Sequence, residues 1–185
     1  MNGYESFFHT GLVYGAFLEK YGTDDHRRRW ADVHAKVRLS DDQRRLLGGF
    51  VREMHVLCLA GAWCGDCVGQ CPIFDHFARA TPKIDLRFVD RDADAGLAGE
   101  LRVCGGSRVP VVVFLSEDFA ECGRYGDRTL SRYRAMTAEL SGAACSTGIV
   151  DSAALHAVTT DWLGEFERVQ LMLRTSPRLR QKHGD

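Results

Sequence analysis

The sequence predicts an α/β fold, a central sheet flanked by helices, with further helical segments at both ends. Two patterns carry this. Between about residues 51 and 140, apolar runs of strand length alternate with segments whose apolar residues recur at helical spacing. Outside that stretch only helical spacing is found. A third observation is a short motif, Trp63-Cys64-Gly65-Asp66-Cys67, where the first strand of the core turns into a helix.

Residues 1–50 read as a helical N-terminal extension. Tyr4 to Tyr21 is predicted as one helix, with Phe7, Phe8, Leu12, Phe17 and Leu18 apolar. Asp24 to Arg38 follows as a second, with Trp30, Val33 and Val37 on one face. Ser40-Asp41-Asp42-Gln43 is a capping box that opens a short helix through Leu47, ended by Gly48-Gly49.

Residues 51–140 form the predicted core. His55 to Ala62 is a buried strand, and Val68 to Arg79 a helix with Val68, Cys71, Phe74 and Phe77 apolar. Ile84 to Val89 is a strand, Asp90 to Asp94 a loop, and Ala95 to Val103 a short helix. Val111 to Leu115 and Glu121 to Tyr125 are strands joined by a polar turn, Ser116-Glu117-Asp118. A helix from Thr129 to Leu140 closes the core. Residues 141–185 read as a linker, Ser141 to Gly148, then a helix from Asp151 to Arg174 that packs on the core. The basic tail after Pro177 is expected to fray.

A chain of 185 residues is long enough to bury an ordinary core. Its formal charge of -1 gives no global field toward nucleic acid or an acidic surface. The run His26-Arg27-Arg28-Arg29 lies among Asp24, Asp25 and Asp32 and reads as a solvated helix face. Seven cysteines at scattered spacings do not form a secreted disulfide framework. With no signal peptide and no membrane-spanning apolar run in view, the expected compartment is the cytoplasm, with no membrane partner.

The chemistry lies in the two cysteines. Cys64 falls at a helix N-terminus and Cys67 one turn further in, so their sulfurs face each other closely enough for a short disulfide. The unpaired N–H groups and the positive end of the helix dipole favour a thiolate at Cys64. A C-x-x-C is also half of a zinc site, but no second C-x-x-C or H-x-x-x-H completes it. No metal or other cofactor is expected. Asp66 complements the helix dipole and sets a like charge near Cys64, which would hold that thiol toward the upper end of the range for such motifs. Cys71 and Cys104 read either as further redox or metal-binding thiols or as small apolar residues, and Cys58 as core. His55 and His76 read as surface or satisfied core histidines.

Pro72 follows the second cysteine by five positions and would kink its helix. Arg108-Val109-Pro110 opens a very apolar strand, a usual place for a cis proline. Taken together, Trp-Cys-Gly-x-Cys, Pro72, Val109-Pro110 and Gly126 after the last strand resemble the thioredoxin superfamily over roughly Leu46 to Leu140. Within it, Trp-Cys-Gly-Asp-Cys and Gly105-Gly106-Ser107-Arg108-Val109-Pro110 look like a thioredoxin-like subgroup of bacteria. Two positions depart from thioredoxins, which usually carry proline where Asp66 stands and a buried aspartate where Cys58 stands.

The resemblance implies a mixed central sheet and a thiol-disulfide oxidoreductase that works on protein or small-molecule disulfides with a separate electron donor. It implies Cys64 as nucleophile and Cys67 as resolving thiol. Trp63 would be an apolar platform beside the reactive sulfur, with Val109 and Pro110 shaping the substrate groove. The alternative is a non-enzymatic adaptor of the same fold, or a metal carrier using Cys64, Cys67 and Cys71. Nucleic acid is not an expected partner.

Overall fold

A computed structural model describes residues 3–140 and 152–185. The predicted linker, Ser141 to Gly148, lies outside the described residues.

The chain enters through α1 (Gly3–Thr10), α2 (Tyr14–Tyr21), α3 (Asp24–His34) and α4 (Asp41–Gly48). The first predicted helix is therefore two. Glycine is a poor helix former, and beyond Gly11 the backbone of Leu12 exchanges two hydrogen bonds with Phe88, at 2.8 and 2.7 Å, along the outer edge of the sheet. The second predicted helix stops at His34, four residues short of Arg38. The capping box at α4 forms as read: the Ser40 hydroxyl accepts from the Gln43 N–H, and the Gln43 side chain accepts from the Ser40 N–H.

The core then runs β1 (Met54–Ala60), α5 (Gly65–Ala80), β2 (Ile84–Asp90), α6 (Ala95–Glu100), β3 (Val111–Ser116), β4 (Glu121–Gly126) and α7 (Leu130–Leu140). The sheet order is β2-β1-β3-β4, with β1 and β2 parallel and the other pairs antiparallel. This is the mixed sheet the resemblance implied. β1 sits inside it, and residues 56–60 are almost wholly buried, as a continuous apolar run with neighbours on both sides requires.

Register decides where function can sit. Ala60 pairs with Asp90, Leu59 with Val111, and Val111 with Gly126. The segments just past β1, β2 and β4 and just before β3 therefore meet at one end of the sheet. Gly126 is where this convergence is tightest. Its φ is +151°, and a Cβ there would lie 2.5 Å from the Pro110 carbonyl oxygen, so only glycine fits.

The last part is α8 (Ser152–Thr175) and α9 (Pro177–His183). α8 lays an aromatic seam on α5 and the sheet. Phe74 and Trp162 meet edge to face at 4.5 Å, and Phe166 contacts Phe77 and Phe114 at 5.2 and 5.1 Å. The basic tail does not fray at Pro177. Proline suits the first turn of a helix, the Ser176 hydroxyl caps it, and Leu179 is buried. Arg178 forms two hydrogen bonds to the Asp118 carboxylate, and His183 reaches Glu117 at 2.5 Å, fixing α9 to the β3–β4 hairpin.

Candidate active site

β1 ends at Ala60, and a short turn, 61–64, leads into α5. Cys64 is the N-cap of that helix, with extended backbone. Its side chain is half-buried and makes no capping bond of its own. The Cys64 sulfur lies 3.5 Å from the Val109 carbonyl oxygen across the site. Cys67, one turn in, is completely buried and receives a hydrogen bond from the Gly61 N–H at 3.4 Å. The Val109–Pro110 peptide bond is cis, and so is Gly126–Asp127.

The two thiols act on each other's ionisation. Burial opposes charge on Cys67, but the thiols of Cys64 and Cys71 and the Gly61 N–H outweigh it and hold Cys67 below the ordinary thiol range. With the charge there, Cys64 is pushed far above the ordinary thiol range, first by its hydrogen bond to Cys67, then by burial and by the Cys67 charge. The first proton thus leaves the pair readily and the second with difficulty, so the pair titrates as a unit. Passing the remaining proton from Cys64 to Cys67 sets the charge on the sulfur nearer solvent. There the N–H groups of Asp66 and Cys67, at the helix N-terminus, favour the charge.

Trp63 lies beside this pair, 41% exposed. Its indole N–H donates to Asp92 at 3.1 Å, and the Arg91 guanidinium stacks over the ring at 4.4 Å. Arg91 also donates to the Ser107 carbonyl, tying this wall to the segment before Pro110. The ring lies so close over Gly61 that a Cβ there would come within 2.8 Å of it.

The Asp66 carboxylate reaches the segment that follows β4. Arg128 holds its carboxylate at two points. Arg128 also reaches Asp127 at 3.1 Å, and Arg108 reaches the same Asp127 oxygen at 3.3 Å. The Tyr133 hydroxyl donates to the other Asp127 oxygen. Burial would raise the Asp127 carboxyl, but the Tyr133 hydrogen bond and the nearby guanidinium groups hold it below the usual range. Gln70, buried on α5, donates to the Asp127 carbonyl at 3.0 Å and accepts from the Trp162 indole at 2.8 Å, so α8 reaches the same network.

The structure therefore brings Trp63, Cys64, Cys67, Val109 and Pro110 together. Asp66 stays in the neighbourhood with a partner the sequence did not disclose. Of the other thiols, Cys71 and Cys58 are buried beneath Cys67, while Cys104 is exposed. Sequence reading passed over Arg91, Asp92, Arg108, Asp127, Arg128 and Gln70. The available signal was position: each charged residue in that set lies within three residues of a strand end on the edge that carries the cysteines. Among the described residues, no group of three or more His, Cys, Asp or Glu side chains is arranged to hold a metal ion, and no helix is long and apolar enough to cross a membrane.

A mixed four-stranded sheet, with a C-x-x-C at the end of an inner strand facing a cis proline, defines a thioredoxin-like protein. A family model described as Thioredoxin matches residues 11–140, and the chain belongs to that family. Among solved structures it is similar to a protein of unknown function from Pseudomonas aeruginosa. That structure is 21% identical with a TM-score of 0.71, over 91% of this chain and 97% of the other. It is also similar to an HIV epitope-scaffold, 23% identical with a TM-score of 0.66, over 87% of this chain and 98% of the other. At these identities the likeness is one of fold. No curated protein matches the sequence.

Proposed function

We propose that this protein is a thiol-disulfide oxidoreductase in which Cys64 and Cys67 are the redox pair. The observation that carries the reading is the arrangement of the two sulfurs. One is reachable at the N-cap of α5, the other is buried one turn further in, and each thiol shifts the ionisation of the other.

In this reading the Cys64 thiolate attacks a substrate disulfide. A bond forms between Cys64 and one substrate sulfur, and the other leaves as a thiolate that takes up a proton. The Cys67 sulfur then attacks Cys64. The Cys64–Cys67 disulfide forms, the mixed disulfide breaks, and the reduced substrate departs. Charge on Cys67 is supported by the Gly61 N–H and the Cys71 thiol, and Cys58 stands where thioredoxins carry a buried acid. Val109 would pair its backbone with an extended substrate segment. Pro110, with no N–H, would shape the groove, and the Trp63 ring would receive apolar substrate surface. Asp66 acts on the pair through its ion pair with Arg128.

The partners of this reading are protein or small-molecule disulfides and a separate electron donor. The scattered cysteines support a reducing, cytoplasmic compartment. The test is reduction of insulin by dithiothreitol in the presence of the protein, beside Cys64→Ser. Acceleration lost in the variant supports the enzyme. Equal rates with and without the protein, together with stoichiometric bound metal, would favour a carrier. A Cys67→Ser trap would then capture the substrates as mixed disulfides.

A further inference from the structure

Two more thiols lie in line with the pair and have no place in that mechanism as reacting groups. Cys64, Cys67 and Cys71 stand at i, i+3 and i+7, one stripe of α5. Cys58 lies in the middle of β1. Cys67, Cys71 and Cys58 each have 0% exposure. Cys67 lies near enough to Cys64 and to Cys71, and Cys71 to Cys58, for each thiol to shift the ionisation of its neighbour. A continuous row of four sulfurs therefore runs from the surface into the central strand. Among the described residues no group of three or more His, Cys, Asp or Glu side chains is arranged to hold a metal ion.

We infer that Cys71 and Cys58 are a second redox-active dithiol that exchanges with the Cys64–Cys67 disulfide, so that the reduced chain stores two pairs of transferable electrons. The inference rests on the reading of Cys64 and Cys67 as a redox pair. It starts from the disulfide that one turnover leaves behind. The Cys71 sulfur attacks Cys67, a Cys67–Cys71 bond forms, and the Cys64–Cys67 bond breaks. Cys64 departs with the electron pair and takes the proton that Cys71 gives up. Cys58 then attacks Cys71, a Cys58–Cys71 bond forms, and Cys67 leaves and takes the Cys58 proton. Cys58 and Cys71 are oxidised by two electrons, Cys64 and Cys67 are reduced by two, and no outside oxidant enters.

Geometry favours the first step. Displacement at sulfur needs the incoming and leaving sulfurs on opposite sides of the one attacked, and Cys67 stands between Cys64 and Cys71 on the stripe. Burial holds the Cys71 and Cys58 thiols protonated, so inward exchange is slower than attack by Cys64.

The test is a redox titration of the full chain, reduced and then equilibrated without oxygen in glutathione buffers of graded potential. Samples are quenched with acid, alkylated, counted by intact mass and mapped by peptide. Mapping separates the four thiols of the row from Cys104, Cys122 and Cys145. The expected result is loss of four thiols in two steps of two, with a Cys58–Cys71 disulfide in the fully oxidised protein. Cys71→Ala should lose only two. Loss of two thiols in the wild type, both in Cys64–Cys67, with Cys58 and Cys71 free at every potential, would overturn the inference and leave the first pair standing. If no Cys64–Cys67 disulfide forms at any potential, the underlying reading fails and the second pair fails with it.

Discussion

Asp66 and Arg128 meet side-on beside the cysteine pair, with Oδ1 3.1 Å from Nε and Oδ2 2.6 Å from Nη2. Both side chains are about one-fifth exposed, at 23% and 22%, so the pair is less screened than one in open water. The carboxylate in the first turn of α5 is therefore not a bare like charge near the sulfurs. It is half of a dipole whose positive end also serves Asp127.

Breaking this dipole from either side should move the thiols in opposite directions. Asp66→Asn removes a negative charge and leaves Arg128 less neutralised, so the first ionisation of the pair should fall, on the order of one unit or less. Arg128→Met leaves the carboxylate unpaired and should raise it. A lower value stabilises the reduced form and makes the pair more oxidising. Thiolate absorbance against pH, with the glutathione equilibrium alongside, reads both. The same value in both variants and wild type would show that the ion pair leaves the sulfurs untouched.

Alkylation should separate the two cysteines by access. At neutral pH, substoichiometric iodoacetamide should label Cys64 first, since Cys67 has no exposed surface. Peptide mapping checks this, and Cys67 labelled ahead of Cys64 would reverse the roles.

Gly61→Ala should disturb the Trp63 wall without touching either sulfur atom. The added Cβ meets Cε2 at 2.8 Å and Nε1 at 2.9 Å, so the indole must leave its place between Gly61 and Arg91. Trp30 and Trp162 are fully buried, so stronger quenching by acrylamide would report Trp63. Turnover of a protein disulfide should suffer mainly in KM, by about tenfold if roughly 1.4 kcal/mol of substrate contact is lost. Unchanged quenching and KM would mean that the turn absorbs the methyl group.

Trp162→Phe should destabilise the fold through a lost hydrogen bond. Both Trp162 and Gln70 are buried, and the variant leaves Gln70 Oε1 without its donor. The expected cost is about 1–3 kcal/mol in unfolding free energy, followed by circular dichroism in urea. A change below about 0.5 kcal/mol, the size of an ordinary surface substitution, would contradict a role for this bond.

Docking of α9 should depend on acid. Asp118 is held well below the usual carboxylate range, chiefly by its hydrogen bonding to Arg178, with burial opposing. A carboxyl depressed on folding contributes stability that is present above its unfolded pKa, about 4, and lost as pH falls through the folded value. Amide protection in 177–183 should therefore hold at neutral pH and decline progressively below about pH 4. Asp118→Asn should show weakened protection already at neutral pH and little further loss from this source on acidification. A wild-type helix equally protected at both pH extremes would rule out this dependence.

The core was legible because its signals are local. A continuous apolar run made β1, helical spacing made α5, and proline at the mouth of β3 marked the groove. Trp63, Cys64, Cys67, Val109 and Pro110 could be picked out for the same reason, since each belongs to a contiguous motif. What escaped was set by pairing between distant segments. Leu12 leaves the helical pattern because Phe88 offers it backbone partners. Asp127 and Arg128 join the site because Gly126 pairs with Val111, a register that no short window of sequence encodes. The helix at Pro177 carried a start signal in Ser176-Pro177, but its docking partners, Asp118 and Glu117, lie about sixty residues earlier.

The Trp30 indole, wholly buried, donates to the Ala62 carbonyl at 2.8 Å. The residue just ahead of the Trp-Cys-Gly-Asp-Cys motif is thus gripped by a helix that enters the chain before the sheet begins. A fragment trimmed to the motif-bearing strands would keep every reactive atom and lose the clamp on the turn that aims them. The turn that carries the cysteines is therefore held by a residue well outside the recognisable signature. Variation in the N-terminal helices, far from any sulfur in sequence, has a direct mechanical route to the chemistry.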